Sequence, residues 1–217
     1  TILLDRSGSM ELIRDATIEG VNAFITQQKS IPGEGYWTLY TFDAPAGDLC
    51  SPELVFKAHP QNQVPLLSRD LFIPRGGTAL IDAACLAIDA TGNRLAAMPP
   101  AERPDKVLFI IVTDGLENAS KFYTCQSLNI RISHQRAKYN WQFIFLGANQ
   151  DVIAEATKYG IPIASAFSYQ PTDDGISKAY TILHGATRNW KLDGNTTAED
   201  LLTNATPEIK IAVTVKN

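Results

Sequence analysis

Cysteine is scarce in this chain of 217 residues: Cys50, Cys85 and Cys125 are its only thiols, and no two stand close together. An odd, scattered set excludes a disulfide framework and fits no zinc-binding spacing, so free thiols in a reducing compartment are expected. Long hydrophobic runs are also missing, and nothing approaches the ~18 apolar residues of a membrane span. No signal peptide is visible. The chain opens on Thr1-Ile2-Leu3-Leu4, like a strand already under way. A cytoplasmic location is the expectation, on a start that reads as incomplete. Basic clusters are absent too. With a net charge of -4 and a pI of about 5.4, the chain is not expected to grip a nucleic-acid backbone. Neither Gly-x-Gly-x-x-Gly nor a P-loop occurs, which removes the common nucleotide sites.

What is present is a large apolar fraction, 45%, enough for a sizeable core. Apolar strands alternate with amphipathic helices along the chain. Strands are expected at Ile2 to Leu4, Tyr36 to Phe42, Glu53 to Ala58, Lys106 to Thr113, Trp141 to Leu146 and Ile161 to Phe167. Helices are expected at Glu11 to Gln28, Ala79 to Met98, Thr124 to Tyr139, Asp151 to Tyr159 and Asp173 to Trp190. The uninterrupted Val-Leu-Phe-Ile-Ile-Val after Lys106 suits a central parallel strand buried on both faces. Strands separated by helices give an α/β class. The sheet is doubly wound and mostly parallel, with one antiparallel edge formed by the Tyr36 and Glu53 strands, and helices cover both faces. Residues 1–194 read as one domain. Residues 195–217 read as an extension with a strand over 208–216, where Ile209, Ile211 and Val213 alternate with Lys210, Ala212 and Thr214.

In an open α/β sheet, ligands collect at the carboxyl ends of the strands. Three segments bring oxygen-bearing side chains there. The first strand ends in Asp5-Arg6-Ser7-Gly8-Ser9, the central strand ends in Thr113-Asp114-Gly115, and Gly76-Gly77-Thr78 precedes a long helix. Asp5, Ser7 and Ser9 alternate, so an extended turn aims all three at one point. Gly8 lets the chain bend between the serines. Asp5, Ser7, Ser9, Thr78 and Asp114 make a hard, oxygen-only set. It suits Mg²⁺, Mn²⁺ or Ca²⁺ and disfavours zinc or copper. Neutral hydroxyl ligands leave a cation much of its charge and an open position for a partner's carboxylate.

These segments resemble the metal-ion-dependent adhesion site (MIDAS) of the von Willebrand factor type A family, with its liganding positions matched in the family's order. The resemblance covers about Thr1 to Leu192. It implies a Rossmann-like fold, direct ligation by Ser7, Ser9 and Thr78, and Asp5 and Asp114 acting directly or through water. It implies cation-dependent binding of a protein ligand that offers an acidic residue, and no catalysis. Asp-Arg-Ser-Gly-Ser-Met and Thr-Asp-Gly-Leu-Glu-Asn-Ala-Ser are closest to small bacterial and phage members.

Rival roles exist for the same residues. Asp5, Ser7, Ser9 and Thr78 are also good helix caps. A metal-dependent hydrolase or phosphatase using the same aspartates is the alternative function. A phosphatase of the haloacid-dehalogenase kind, however, needs a second Asp where Ser7 stands, and no Gly-x-Ser-x-Gly supplies a serine nucleophile. His59, His134 and His184 lie in unrelated segments, the latter two expected as exposed helix residues. Glu117, Asn118 and Asp43 either rim the metal edge or are solvated turn residues. Arg6 either steers an acidic ligand or pairs with a neighbouring carboxylate.

Overall fold

The computed structural model describes residues 1–44, 51–148 and 151–192. Six strands form one sheet: β1 (Ile2–Asp5), β2 (Tyr36–Phe42), β3 (Glu53–Pro60), β4 (Leu108–Thr113), β5 (Gln142–Gly147) and β6 (Ala166–Ser168). Their order is β3-β2-β1-β4-β5-β6. Only β3 runs antiparallel, against β2; the other neighbours pair in parallel. The expected architecture is therefore found, with β3 and β6 as the two edges among the described residues. Every residue of β1, β4 and β5 is buried, as their continuous apolar runs require of strands covered on both faces.

Period-2 alternation splits the core into two layers. Ile2, Leu4, Ile110, Val112, Ile144 and Leu146 face α1 (Arg14–Lys29) and α5 (Asp173–Leu192). Leu3, Phe109, Ile111, Phe143 and Phe145 point the other way, toward α2 (Leu80–Ala96), α3 (Cys125–Tyr139) and α4 (Val152–Lys158). Cys85 of α2 is fully buried in the second layer, and desolvation pushes its thiol up to about 12. Cys85 and Cys125 are both free thiols. No helix among the described residues is long and apolar enough to cross a membrane.

Several boundaries differ from expectation. The Ile161–Phe167 strand shrinks to Ala166–Ser168, because Pro162 leads into a 3-10 turn over Ile163–Ser165 before the chain can pair with β5. The first helix begins with a 3-10 turn, Gly8–Ile13, before α1 proper. His184 is not an exposed helix residue: its ring nitrogen lies 3.2 Å from Gln28 Nε2 on α1, and burial lowers its pKa. His134 is exposed, as expected. Cys50, the turn around Gly47 and Asp48, and the whole 195–217 extension with its 208–216 strand lie outside the described residues.

α1 and α5 approach closely because Gly20 has no side chain. The Tyr180 ring of α5 occupies the place where a Cβ on Gly20 would sit. Gly20→Val should therefore destabilise the protein by about 1–3 kcal/mol, the usual cost of overpacking a close contact. Chemical denaturation checks it; an unchanged midpoint would mean the two helices part without penalty.

Candidate metal centre

The sheet changes winding direction at β1: β2 follows on one side and β4 lies on the other. Such a switch point leaves a crevice at the carboxyl edge, since the loops leaving neighbouring strands depart to opposite faces. Asp5 ends β1 and Asp114 immediately follows β4, so the sequence places both carboxylates at this crevice.

Asp5 is wholly buried. Its Oδ1 accepts from the Ser7 backbone N–H at 2.6 Å, and its Oδ2 accepts from the Thr113 hydroxyl at 2.6 Å. Thr113 Oγ1 in turn lies 3.2 Å from the Gly115 N–H, which donates to it. One hydroxyl thus ties the end of β1 to the loop after β4. Ser7 Oγ lies 3.2 Å from Ser9 Oγ, and Ser9 donates to Asp114 Oδ1 at 2.8 Å. Asp5, Ser7, Ser9 and Asp114 therefore form one hydrogen-bonded chain. The Thr78 hydroxyl faces the same glycine as Ser9: a Cβ on Gly115 would lie 3.3 Å from Thr78 Oγ1 and 3.9 Å from Ser9 Oγ. The bare Cα of Gly115 leaves a cradle that any side chain would fill.

Helix capping does not account for these side chains. Ser7 precedes the 3-10 turn, but its hydroxyl caps nothing; its backbone carbonyl accepts from Met10 instead. The N-cap of α2 is Ala79, not Thr78. The free amides of α2 are satisfied from elsewhere: Glu117 accepts from the Ile81 N–H at 2.8 Å, and the Ser120 hydroxyl accepts from the Asp82 N–H at 3.0 Å. The hydroxyl of Thr78 is thereby released from capping.

The loop after β4 is anchored to α2 in return. The buried Asp82 carboxylate accepts from the backbone N–H groups of Lys121, Phe122 and Tyr123. Glu117 also accepts from Ala119 and Ser120 within its own loop. The Asn118 side-chain oxygen accepts from the Thr78 N–H at 2.9 Å, and the Asn118 backbone N–H donates to the Thr78 carbonyl at 3.0 Å. Asn118, itself exposed, thus fixes the backbone of Thr78, and Glu117 fixes the start of α2. Thr113, Asp82 and Ser120 were not singled out from the sequence. Asp82 carries a signal, being the only charge in Leu-Ile-Asp-Ala-Ala-Cys-Leu-Ala-Ile, whereas Thr113 and Ser120 carry none.

Backbone contacts hold the remaining loop. Gly8 N–H donates to Gly76 O at 3.0 Å, Arg75 N–H to Arg6 O at 2.8 Å, and Ala44 and Gly77 form a bridge. Gly76 has φ +63, a left-handed conformation that favours glycine. Arg6 is buried and pairs with Asp43 at 3.4 Å and with Glu53. Arg75 pairs with the same Asp43 carboxylate at 2.5 Å. The pairing role proposed for Arg6 is the one observed, and Asp43 is a buried ion-pair centre, not a solvated turn residue.

Burial raises the Asp5 pKa from the ordinary 3.8 to about 7, against the opposing pull of the Thr113 and Ser7 hydrogen bonds. Asp114 is raised for the same reason, with Ser9 opposing. Among the described residues, no three His, Cys, Asp or Glu side chains come together. Any cation here would depend on the hydroxyls for much of its coordination. The donor set of two carboxylates and three hydroxyls fits a hard cation that takes oxygen ligands. The histidines lie elsewhere: His59 on β3 against Phe56, His134 on α3, His184 on α5.

No family model matches the chain, and no curated protein matches it. Solved structures do. Proximal thread matrix protein 1 from the mussel byssus has 11% identity and a TM-score of 0.60, over 85% of this chain and 45% of that one. The same protein "with zinc occupied MIDAS motif" has 13% identity and a TM-score of 0.58, over 85% and 46%. A von Willebrand factor type A structure from Catenulispora acidiphila has 14% identity and a TM-score of 0.55, over 87% and 42%. The chain spans less than half the length of each of these structures. The likeness is one of fold, and the fold is that of a von Willebrand factor type A domain.

The raised Asp5 pKa has a consequence for cation-free protein. Between the ordinary aspartate value and about 7, the folded chain keeps a proton that the unfolded chain has released. Stability should therefore fall as pH rises through that window. Thermal melts in chelator from pH 4 to pH 7 should show the decline, and Asp5→Asn should flatten it. A wild-type curve no steeper than that of Asp5→Asn would contradict the assignment to Asp5.

Proposed function

We propose that this chain is a divalent-cation-dependent protein-binding domain of the von Willebrand factor type A family. Asp5, Ser7, Ser9, Thr78 and Asp114 hold Mg²⁺, or Mn²⁺ or Ca²⁺, and leave a position for a carboxylate of the partner. The observation that carries this is the cradle above Gly115, flanked by the Thr78 and Ser9 hydroxyls, with Asp114 hydrogen-bonded to Ser9. The solved structure with a zinc-occupied MIDAS motif supports it, since this fold there holds a cation.

A bound cation would supply an electrophilic contact for an incoming carboxylate. The chain's own part is preorganisation. Ser7, Ser9 and Thr78 present neutral oxygens, so only Asp5 and Asp114 offset the ion's charge. Asp5 is held by the Ser7 N–H and the Thr113 hydroxyl, which keep its orientation fixed whether it ligates directly or through water. Asn118 and Glu117 fix the backbone that carries Thr78. The three histidines stand on β3, α3 and α5, away from these residues, and the activity we propose is binding.

Titration calorimetry with Mg²⁺, Mn²⁺ and Ca²⁺ tests the site. The wild type should bind, while Asp5→Ala and Asp114→Ala should not. Gly115→Val should also lose the cation, because its side chain fills the cradle, yet keep a wild-type circular dichroism spectrum. Unchanged affinity in all three variants would refute the site.

The partner is tested by pull-down from the native source in Mg²⁺, with release by chelator. Thr78→Ala should reduce chelator-released protein more than it reduces cation affinity. Equal losses would leave Thr78 no role beyond ligation.

A further inference from the structure

Away from the metal edge, α1 and α5 share a polar contact at Gln28 and His184. Gln28 lies about two turns beyond Gly20 on α1, and His184 about one turn beyond Tyr180 on α5, so both stand on the seam where Gly20 meets Tyr180. Gln28 is completely buried. Its Nε2 lies 3.2 Å from the His184 carbonyl oxygen and 3.2 Å from His184 Nδ1. Its Oε1 is buried without a hydrogen-bond partner. The His184 ring is half-buried, within reach of solvent protons.

The carbonyl decides how this pair is protonated. A carbonyl oxygen only accepts, so the amide nitrogen of Gln28 is the group turned toward it. The second N–H of that nitrogen then points to Nδ1, which accepts and carries no hydrogen. The neutral ring therefore holds its proton on Nε2. A further proton enters only at Nδ1, where it meets the Gln28 N–H donor against donor. Turning the amide over lets Oε1 accept from Nδ1–H, but it breaks the bond to the His184 carbonyl and sets two oxygens against each other. Either arrangement gives up a buried hydrogen bond of the neutral pair. No neighbour offsets the added charge. Arg188 and Lys191, which act on the ring from α5, are cationic, and α1 faces it with the uncharged Gln28.

We propose that Gln28 and His184 form a pH-sensitive latch on the α1–α5 seam, closed while the imidazole is neutral and opened when Nδ1 takes a proton. Desolvation first, and then Arg188 and Lys191, hold the His184 pKa below the ordinary 6.5, in agreement with this geometry. Folded protein thus binds this proton less readily than the unfolded chain does. The stability the contact contributes is present in full above 6.5 and is lost as pH falls through the lower folded value. Mild acid therefore loosens the helices around this pair. Asp5 works in the opposite sense, since burial raises its pKa and acid favours its folded form.

Two measurements on the whole chain test the latch. Nuclear magnetic resonance follows the histidine rings through a pH titration, with His59→Gln and His134→Gln identifying the other two. His184 should titrate below 6.5, and its neutral form should carry the proton on Nε2. Native-state hydrogen exchange then compares the wild type with His184→Asn at about pH 7.5 and about pH 5, on either side of the histidine range. The Asn side-chain oxygen takes the place of Nδ1 as an acceptor but does not take up a proton. Wild-type amides of α1 and α5 near the pair should lose protection severalfold in acid, the scale of one hydrogen bond. Those of His184→Asn should not. Asp5 is present in both proteins, so its own pH dependence cancels in the comparison. A His184 midpoint at or above 6.5, a neutral ring protonated on Nδ1, or acid protection that changes equally in the two proteins would overturn the latch. Should His184→Asn fail to fold, the midpoint and tautomer of the wild-type ring decide alone.

Discussion

A carboxylate without water around it needs other partners, and the fold is arranged about one such group. Asp5 ends the central strand β1, wholly buried, and is held by the Ser7 N–H and the Thr113 hydroxyl. Two neutral donors do not restore what water would supply, so its pKa stands at about 7. Asp114 nearby is raised as well. Arg6, the nearest guanidinium in sequence, is turned away to Asp43 and Glu53. The edge is therefore an electrostatic demand that a cation among these oxygens would meet.

Everything around Asp5 serves to keep that demand in place. Thr113 joins β1 to the loop after β4 through its hydroxyl. Glu117, Asn118 and Asp82 stitch the same loop to the start of α2. Because Glu117 and Ser120 cap α2 from outside the helix, Thr78 keeps its hydroxyl for the cradle. Charge pairing by Arg6, Arg75, Asp43 and Glu53 holds the loops on the other side. Polar residues that neighbour the site thus act through backbone geometry.

The strand order gives these contacts their location. Parallel strands on either side of β1 send their loops to opposite faces, and the crevice between β1 and β4 opens where Asp5 and Asp114 emerge. The solved structures that share this fold do so at 11–14% identity, so the fold does not require most of these particular side chains.

Most of this was legible in the chain itself, for reasons of periodicity. Continuous apolar runs named β1, β4 and β5, and the 3.6-residue stripe of Ile176, Ala179, Tyr180 and Leu183 named α5. Asp5, Ser7, Ser9, Thr78 and Asp114 could be named as candidates because they sit at strand and helix ends, where ligands of such sheets gather. Only the tertiary structure could decide which polar residues support them. Hydrogen bonds between Thr113 and Asp5, Asn118 and Thr78, or Asp82 and the 121–123 backbone join positions 39 to 108 residues apart, and no local pattern encodes such pairings. The same holds for the short β6, where Pro162 and a 3-10 turn displaced a strand that composition alone favoured. It holds too for His184, half-buried and in contact with Gln28 of a distant helix. Local sequence determined the elements and the ligand candidates; long-range packing determined which hydroxyls were left free to face one another.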